Sequence, residues 1–202
     1  MIVGLTGTPG TGKTSVSEIL RKKGYVVMDL NKIVEQHNFI SGYDRERRCS
    51  IADMKKLDSY IQKQDRGKML IVEGHLAHLL SVDMIIVLRC SPKILGKRLG
   101  KKKYPKKKIM ENAEAEAVDV ITVESLEKHK KVYEIDTTNI SKEKVAEKVE
   151  EILSGRFKNY EVGNIDWSEE ILTWYSPFLF LKKKKKSDWR KRKRRRDCCA
   201  IP

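Results

Sequence analysis

Gly7-Thr8-Pro9-Gly10-Thr11-Gly12-Lys13-Thr14, GTPGTGKT, fits the pattern G-x-x-x-x-G-K-[ST] without a mismatch. It follows a strand-like run, Ile2-Val3-Gly4-Leu5-Thr6, and opens a helical pattern from Lys13 to about Lys23. Strand, glycine turn and helix in that order form the context in which the motif cradles phosphate. Glycines let backbone N–H groups turn inward around an anion, and the helix N-terminus adds favourable partial charge. Lys13 is expected to reach the β- and γ-phosphates, Thr14 to ligate Mg²⁺, and Ser15 to meet the α-phosphate. The motif therefore predicts nucleoside triphosphate binding through Gly10, Gly12, Lys13, Thr14 and Ser15.

Four more apolar runs extend the pattern: 25–28, 69–72, 84–88 and 132–135. Helical segments are expected near 53–65, 91–100, 108–129 and 141–154, with Ser91-Pro92 as a capped helix start. Nearly continuous apolar strands alternating with helices imply a parallel sheet buried on both faces. The predicted fold is α/β: a three-layer P-loop NTPase with a five-stranded parallel sheet, helices on both faces, and small acceptor-binding and lid segments.

The composition narrows the class further. Lys182 to Lys186 and Arg190 to Arg196 are twelve cations against Asp188 and Asp197, so this tail carries +10 of the net +15. No apolar run approaches the roughly 18–20 residues that span a bilayer. The opening MIVGLTG has no signal-peptide pattern and the four cysteines form no C-x-x-C pair, which predicts a cytoplasmic setting. A GTPase would carry N-K-x-D, and Asn31-Lys32-Ile33-Val34 fails at the last place. A large motor would need a longer chain. A small nucleotide kinase needs an acceptor pocket and a basic lid, and both have candidates. Lys97 to Lys108 holds eight cations in twelve residues; it is either a lid closing over the transferred group or a solvated basic face or nucleic-acid patch. The acceptor pocket is expected after the second strand, where Asp29-Leu30-Asn31-Lys32 begins a helix and Tyr43 to Arg48 form a charged loop.

Ile71-Val72-Glu73-Gly74-His75 ends the third strand on ionisable groups. In phosphate-loop proteins a carboxylate there handles Mg²⁺ or its water. Residues i and i+2 of a strand share a face, so Glu73 and His75 are expected to point the same way. Glu73 is the metal-water ligand or base; His75 orients the water or is a structural histidine. His78 has no further metal ligands nearby in sequence and is set aside as background. Asp136-Thr137-Thr138-Asn139 is either an adenine contact or a capping loop.

Taken together, the phosphate loop, D-L at 29–30, Y-D at 43–44, V-E-G-H at 72–75, R-L followed by K-x-Y at 98–104, Asn112 with Glu114, and Gly163 to Trp167 recur in the order of a known family. The chain resembles the adenylate kinase isoenzyme 6 family, the nuclear adenylate kinases, and especially its archaeal branch, over residues 1 to about 172. The resemblance implies a broad-specificity nucleoside monophosphate kinase (ATP + AMP giving two ADP) with ATPase activity, using Mg²⁺ with ATP. It also implies partners: a small-subunit ribosomal protein and pre-ribosomal RNA. An RNA- and ribosome-associated ATPase switch with little kinase activity is the alternative. Mapped by the resemblance, the acceptor region spans about 26–49, with Asp29 and Lys32 binding AMP, and the lid spans about 101–111, with Lys102 on ATP. Glu73 and His75 correspond to the family's D-x-H pair, and Arg98 matches a family arginine expected on phosphate. Lys102 and Lys32 stand where relatives carry arginine, which keeps charge but loses the planar fork. Residues 173–202 match nothing in the family and are expected to be a disordered basic tail that binds polyanions.

Overall fold

The computed structural model describes residues 1–46, 49–65, 67–175 and 199–201. A five-stranded sheet of β1 (Ile2–Thr6), β2 (Val26–Asp29), β5 (Leu70–Glu73), β6 (Met84–Arg89) and β7 (Val132–Asp136) runs in the order β2-β5-β1-β6-β7. Every pairing in it is parallel. The three central strands are buried at every residue, as their unbroken apolar sequences demand.

Strand alternation sorts the side chains between two faces. Val3, Leu5, Ile71, Ile86 and Leu88 pack with Val16 and Leu20 of α1 (Lys13–Lys22) and with Val145, Val149 and Ile152 of α7 (Lys142–Leu153). Ile2, Leu70 and Val72 pack oppositely, against α2 (Leu30–Gln36), α3 (Met54–Gln62) and Leu76, Ala77 and Leu80. Ile85, Val87 and Val132 meet Ile121 on that second side. The same parity sends the strand-end residues to different places. Glu73 follows Ile71 toward α1, whereas Thr6 and Arg89 follow Ile2 and Val87 to the other face.

Four features depart from the sequence reading. The expected single helix over 108–129 is two: α5 (Lys106–Ala117) and α6 (Val120–Lys128). They break at Asp119, which sits at φ 55° with its carboxylate on Arg89 Nη2; aspartate tolerates this left-handed conformation better than most residues. The charged segment after α2 is a hairpin, β3 (Ile40–Asp44) and β4 (Cys49–Ala52). It was hidden because it buries little apolar surface. The segment expected to be a lid, about 101–111, is the end of α4 (Pro92–Lys101), a short turn and the first half of α5. Finally, α8 (Ser168–Tyr175) runs across the boundary expected at residue 172.

The basic run 182–196 lies outside the described residues. At the end of the chain, β8 (Cys199–Ile201) pairs antiparallel with β4, so this piece of the expected disordered tail is a strand. Among the described residues, no helix is long and apolar enough to cross a membrane.

Candidate functional site

Five parallel strands point their carboxyl ends at one crevice, and the chain's crossover from β5 past β1 to β6 opens it there. The phosphate loop forms its floor. Gly7 is obligatory: φ is 137°, and a Cβ would stand 2.3 Å from the Leu88 carbonyl oxygen. Gly12, at φ 107°, caps α1 in a left-handed conformation. Thr11 closes the turn with its N–H and hydroxyl on Thr8 O at 3.2 and 3.0 Å. The Thr137 hydroxyl lies 2.9 Å from Thr11 O and 2.8 Å from Arg89 O, tying the loop to β6 and β7.

Lys13 is buried, and Nζ donates to Gly7 O at 2.7 Å and Thr8 O at 3.2 Å. Burial lowers its pKa to about 8, against the opposing pull of Glu73 and Glu116. Glu73 is 3% exposed; its Oε2 accepts from Ser17 at 3.2 Å and its Oε1 lies 3.4 Å from Thr14 Oγ1. Burial raises its pKa, with Lys13 pulling the other way.

Behind the loop sits a saturated charge cluster. Arg89 donates through Nε to Glu116 Oε1 at 2.8 Å and bridges to Glu134 and Asp119. Burial alone would favour loss of its proton, but the three carboxylates hold the guanidinium above its ordinary range. Glu116 also accepts from Cys90 N at 3.1 Å and from the Thr8 hydroxyl. Helix α5 is thereby fastened to the phosphate loop.

A cavity of about 320 Å³ gathers most of the predicted residues. Gly10, Gly12, Lys13, Thr14, Ser15, Glu73, His75 and Lys102 all line it. Glu73 and His75 meet there although the strand ends at Glu73 and His75 lies in the following turn, so the shared-face argument does not apply. Other walls include Tyr104 of the α4–α5 turn, Lys108, Glu111 and Asn112 of α5, Asn31 and Cys49, and Leu76, His78, Val120, Ile121 and Glu124.

Three residues have surroundings other than the sequence reading expected. Arg98 is spent on the loop after β7, donating to Thr137 O at 2.7 Å and Thr138 O at 3.1 Å. It does not line the cavity. Asp29 caps α2, accepting from Asn31 N and Lys32 N at 3.0 and 3.3 Å; Asn31, not Asp29 or the exposed Lys32, reaches the cavity. His78 is no background residue. It is 3% exposed, with Nδ1 3.2 Å from Thr6 Oγ1 and Nε2 3.1 Å from Glu124 Oε2. Glu116 and Glu124 were missed altogether; their partners lie 108 and 46 residues away in sequence, and the only local hint was a carboxylate on an otherwise apolar helical face.

The comparisons agree with this picture. A family model described as an AAA domain matches residues 3–119. The protein of Archaeoglobus fulgidus named "Putative adenylate kinase" is 46% identical over 85% of this chain and 94% of its own. Proteins of that name from Methanosarcina acetivorans and Methanocaldococcus jannaschii are 40% and 39% identical, over 85% and 84% of this chain and 100% and 94% of their own. Among solved structures, shikimate kinase from Acinetobacter baumannii superposes with a TM-score of 0.55 at 15% identity, over 78% of this chain and 95% of that one. This last likeness shows the shared P-loop kinase fold. The site, the fold and the relatives converge: the chain belongs to the P-loop family of these archaeal adenylate-kinase-named proteins.

Proposed function

We propose that the protein is a nucleoside monophosphate kinase that transfers the γ-phosphoryl group of ATP to AMP, giving two ADP. The observation that carries this reading is the cavity above the phosphate loop. Its floor is a phosphate loop, and the space continues past Glu73 and His75 to a second, partly apolar wall. Donor and acceptor would therefore meet in one cleft. The names of the relatives support the same activity.

The donor set suits Mg²⁺ brought in with ATP. The Thr14 hydroxyl and Glu73 carboxylate are hard oxygen ligands, and Mg²⁺ prefers one or two such groups plus phosphate oxygens and water. When bound, the ion would neutralise charge on the β- and γ-oxygens. Lys13 would exchange its two backbone carbonyls for phosphate oxygens, returning its charge to a strong partner. Lys102 and Lys108 would close over the transferring group from the lid side, supplying charge without the bidentate grip of arginine. Glu73, whose pKa burial raises, would hold the proton of a water bound beside it, and His75 would orient the acceptor oxygen or that water.

ATP hydrolysis is the expected side reaction when water takes the acceptor's place. A role in small-subunit ribosome maturation follows from the resemblance alone, and the polyanion-binding candidate, Lys182 to Arg196, lies outside the described residues. A coupled assay measuring ADP from ATP plus AMP, against ATP alone and ATP plus ribosomal RNA, tests the reading. AMP-dependent ADP well above the ATP-only rate is expected; no excess would leave only the ATPase.

A further inference from the structure

One wall of the cavity stands on an element with little core of its own. β3 and β4 form a hairpin, and Cys49, the first residue of β4, lines the cavity. β3 buries none of its residues, and its Ile40 and Tyr43 are exposed. On β4 only Cys49 and Ala52 are buried, and Ala52 alone joins the core beneath α2 and α3. Polar contacts close the base: Asp53 N donates to Phe39 O at 2.8 Å, and Ser41 Oγ to Ile51 O at 3.3 Å. The ladder slips register between Ile40 and Gly42.

A two-stranded hairpin by itself is marginal in water, and a third strand makes the difference. Here that strand comes from the far end of the chain. β8 pairs antiparallel with β4, Ile201 opposite Ser50 and Cys199 opposite Ile51. β4 thereby becomes the middle strand of the order β3-β4-β8. Without β8, its outer edge would present unpaired N–H and C=O groups. Three residues would bind weakly as a free peptide, but a segment of the same chain competes at an effective concentration of about millimolar. β8 lies beyond residue 172, outside the stretch that carries the family resemblance, so the family's chemistry does not account for it.

We propose that residues 199–201 are an internal strap, which keeps the β3–β4 hairpin, and with it the Cys49 wall of the cavity, ordered before the acceptor nucleotide arrives. The proposal rests on the kinase reading above and adds a control on the acceptor side alone. β8 pairs with no strand of the five-stranded sheet, so the phosphate loop is held independently of it. A loosened hairpin must be ordered again by its ligand, and that entropy is subtracted from affinity. Removing the strap should raise the KM for AMP about tenfold, equivalent to ordering the backbone of one residue on binding. The KM for ATP and kcat should stay unchanged.

The test compares the full chain with a variant lacking residues 199–202, by amide hydrogen exchange and by kinetics with ATP and AMP. In the full chain the amides of β4 and β8 should exchange slowly; in the variant those of β4 should exchange faster, and only the AMP KM should rise. β8 amides that exchange in the full chain at the rate of an unstructured peptide overturn the proposal, even should the variant fail to fold. A variant whose AMP KM is unchanged overturns it, and so does one whose AMP KM falls, the signature of a segment that blocks the cavity. Equal rises in both KM values also overturn it, because they report a general loosening of the fold. Each of these results leaves the kinase reading standing. A full chain that makes no ADP from AMP overturns the kinase reading and the acceptor role together.

Discussion

Lys13 and Arg89 are both buried cations within one small site, yet their surroundings are opposite. Lys13 donates only to two backbone carbonyls, with Glu73 and Glu116 acting on it from beyond hydrogen-bond contact. Arg89 is locked to three carboxylates, Glu116, Glu134 and Asp119. One pKa is lowered to about 8 and the other is raised. A cation left short of counter-charge is a place prepared for an anion. A saturated cation is architecture. Glu116 belongs to both settings, since it holds Arg89 on one oxygen and the Thr8 hydroxyl of the phosphate loop on the other.

Removing Arg89 should have the largest effect. Arg89→Met leaves Glu116 and Glu134 buried without their main partner, and breaking a buried ion pair from one side costs about 3–5 kcal/mol. With three carboxylates released, the upper end of that range is expected, read as a large drop in denaturant midpoint. A loss below about 1 kcal/mol would show that the cluster does not hold α5 and β7 together.

Lys13→Met should act almost entirely on turnover. Losing one preorganised charge at the transferring phosphoryl costs about 10²–10³-fold, or roughly 3–4 kcal/mol of barrier. Thermal stability should stay level or rise, because an under-neutralised buried charge has been replaced by an apolar side chain. If the melting temperature instead fell as far as in Arg89→Met, Lys13 would be structural too and the contrast would break.

The same contrast explains how much could be foreseen. The phosphate loop and the five strands were legible because each is written in consecutive residues: a glycine spacing, an apolar run, a Ser-Pro helix start. Glu73 was legible by its place at a strand end. Arg89, next to the apolar run 84–88, drew no notice, since its burial depends on Glu116 and Glu134, brought to it by the fold. His78 was dismissed for want of nearby ligands, yet its partner stands on α6. Arg98 and Asp29 were assigned to nucleotide by motif, while their hydrogen bonds go to backbone groups of their own neighbourhood. Residue pairs linked only through folding leave no periodicity to detect.

Thr8 tests the joint between the two settings. Thr8→Val keeps the shape of the side chain but removes the donor from Glu116 Oε2. A hydrogen bond to a charged group contributes about 1.5–3 kcal/mol, so a loss of that size is expected in chemical denaturation. The loss should largely vanish in an Arg89→Met background, where Glu116 has already lost its anchor, because residues in one network are not additive. Full additivity would mean that loop and cluster are independent.

The smallest effect concerns one proton. Burial lowers the Lys13 pKa from 10.5 to about 8, so at about pH 9, without nucleotide, most of it is expected to be neutral. Anionic phosphate favours the charged form, so binding ATP should draw the Lys13 pKa back up. ATP binding at about pH 9 is therefore expected to take up a proton, approaching one per site, and at pH 7 to take up almost none. By the same linkage, ATP affinity should weaken as pH rises through 8. Calorimetry in buffers of different ionisation enthalpy reads the uptake directly, and Lys13→Met should abolish it. Arg89 stays charged throughout and contributes nothing to this signal. An absence of uptake at pH 9 in the wild type would mean that Gly7 O, Thr8 O, Glu73 and Glu116 already suffice to hold Lys13 charged, and the two cations would then differ only in number of partners.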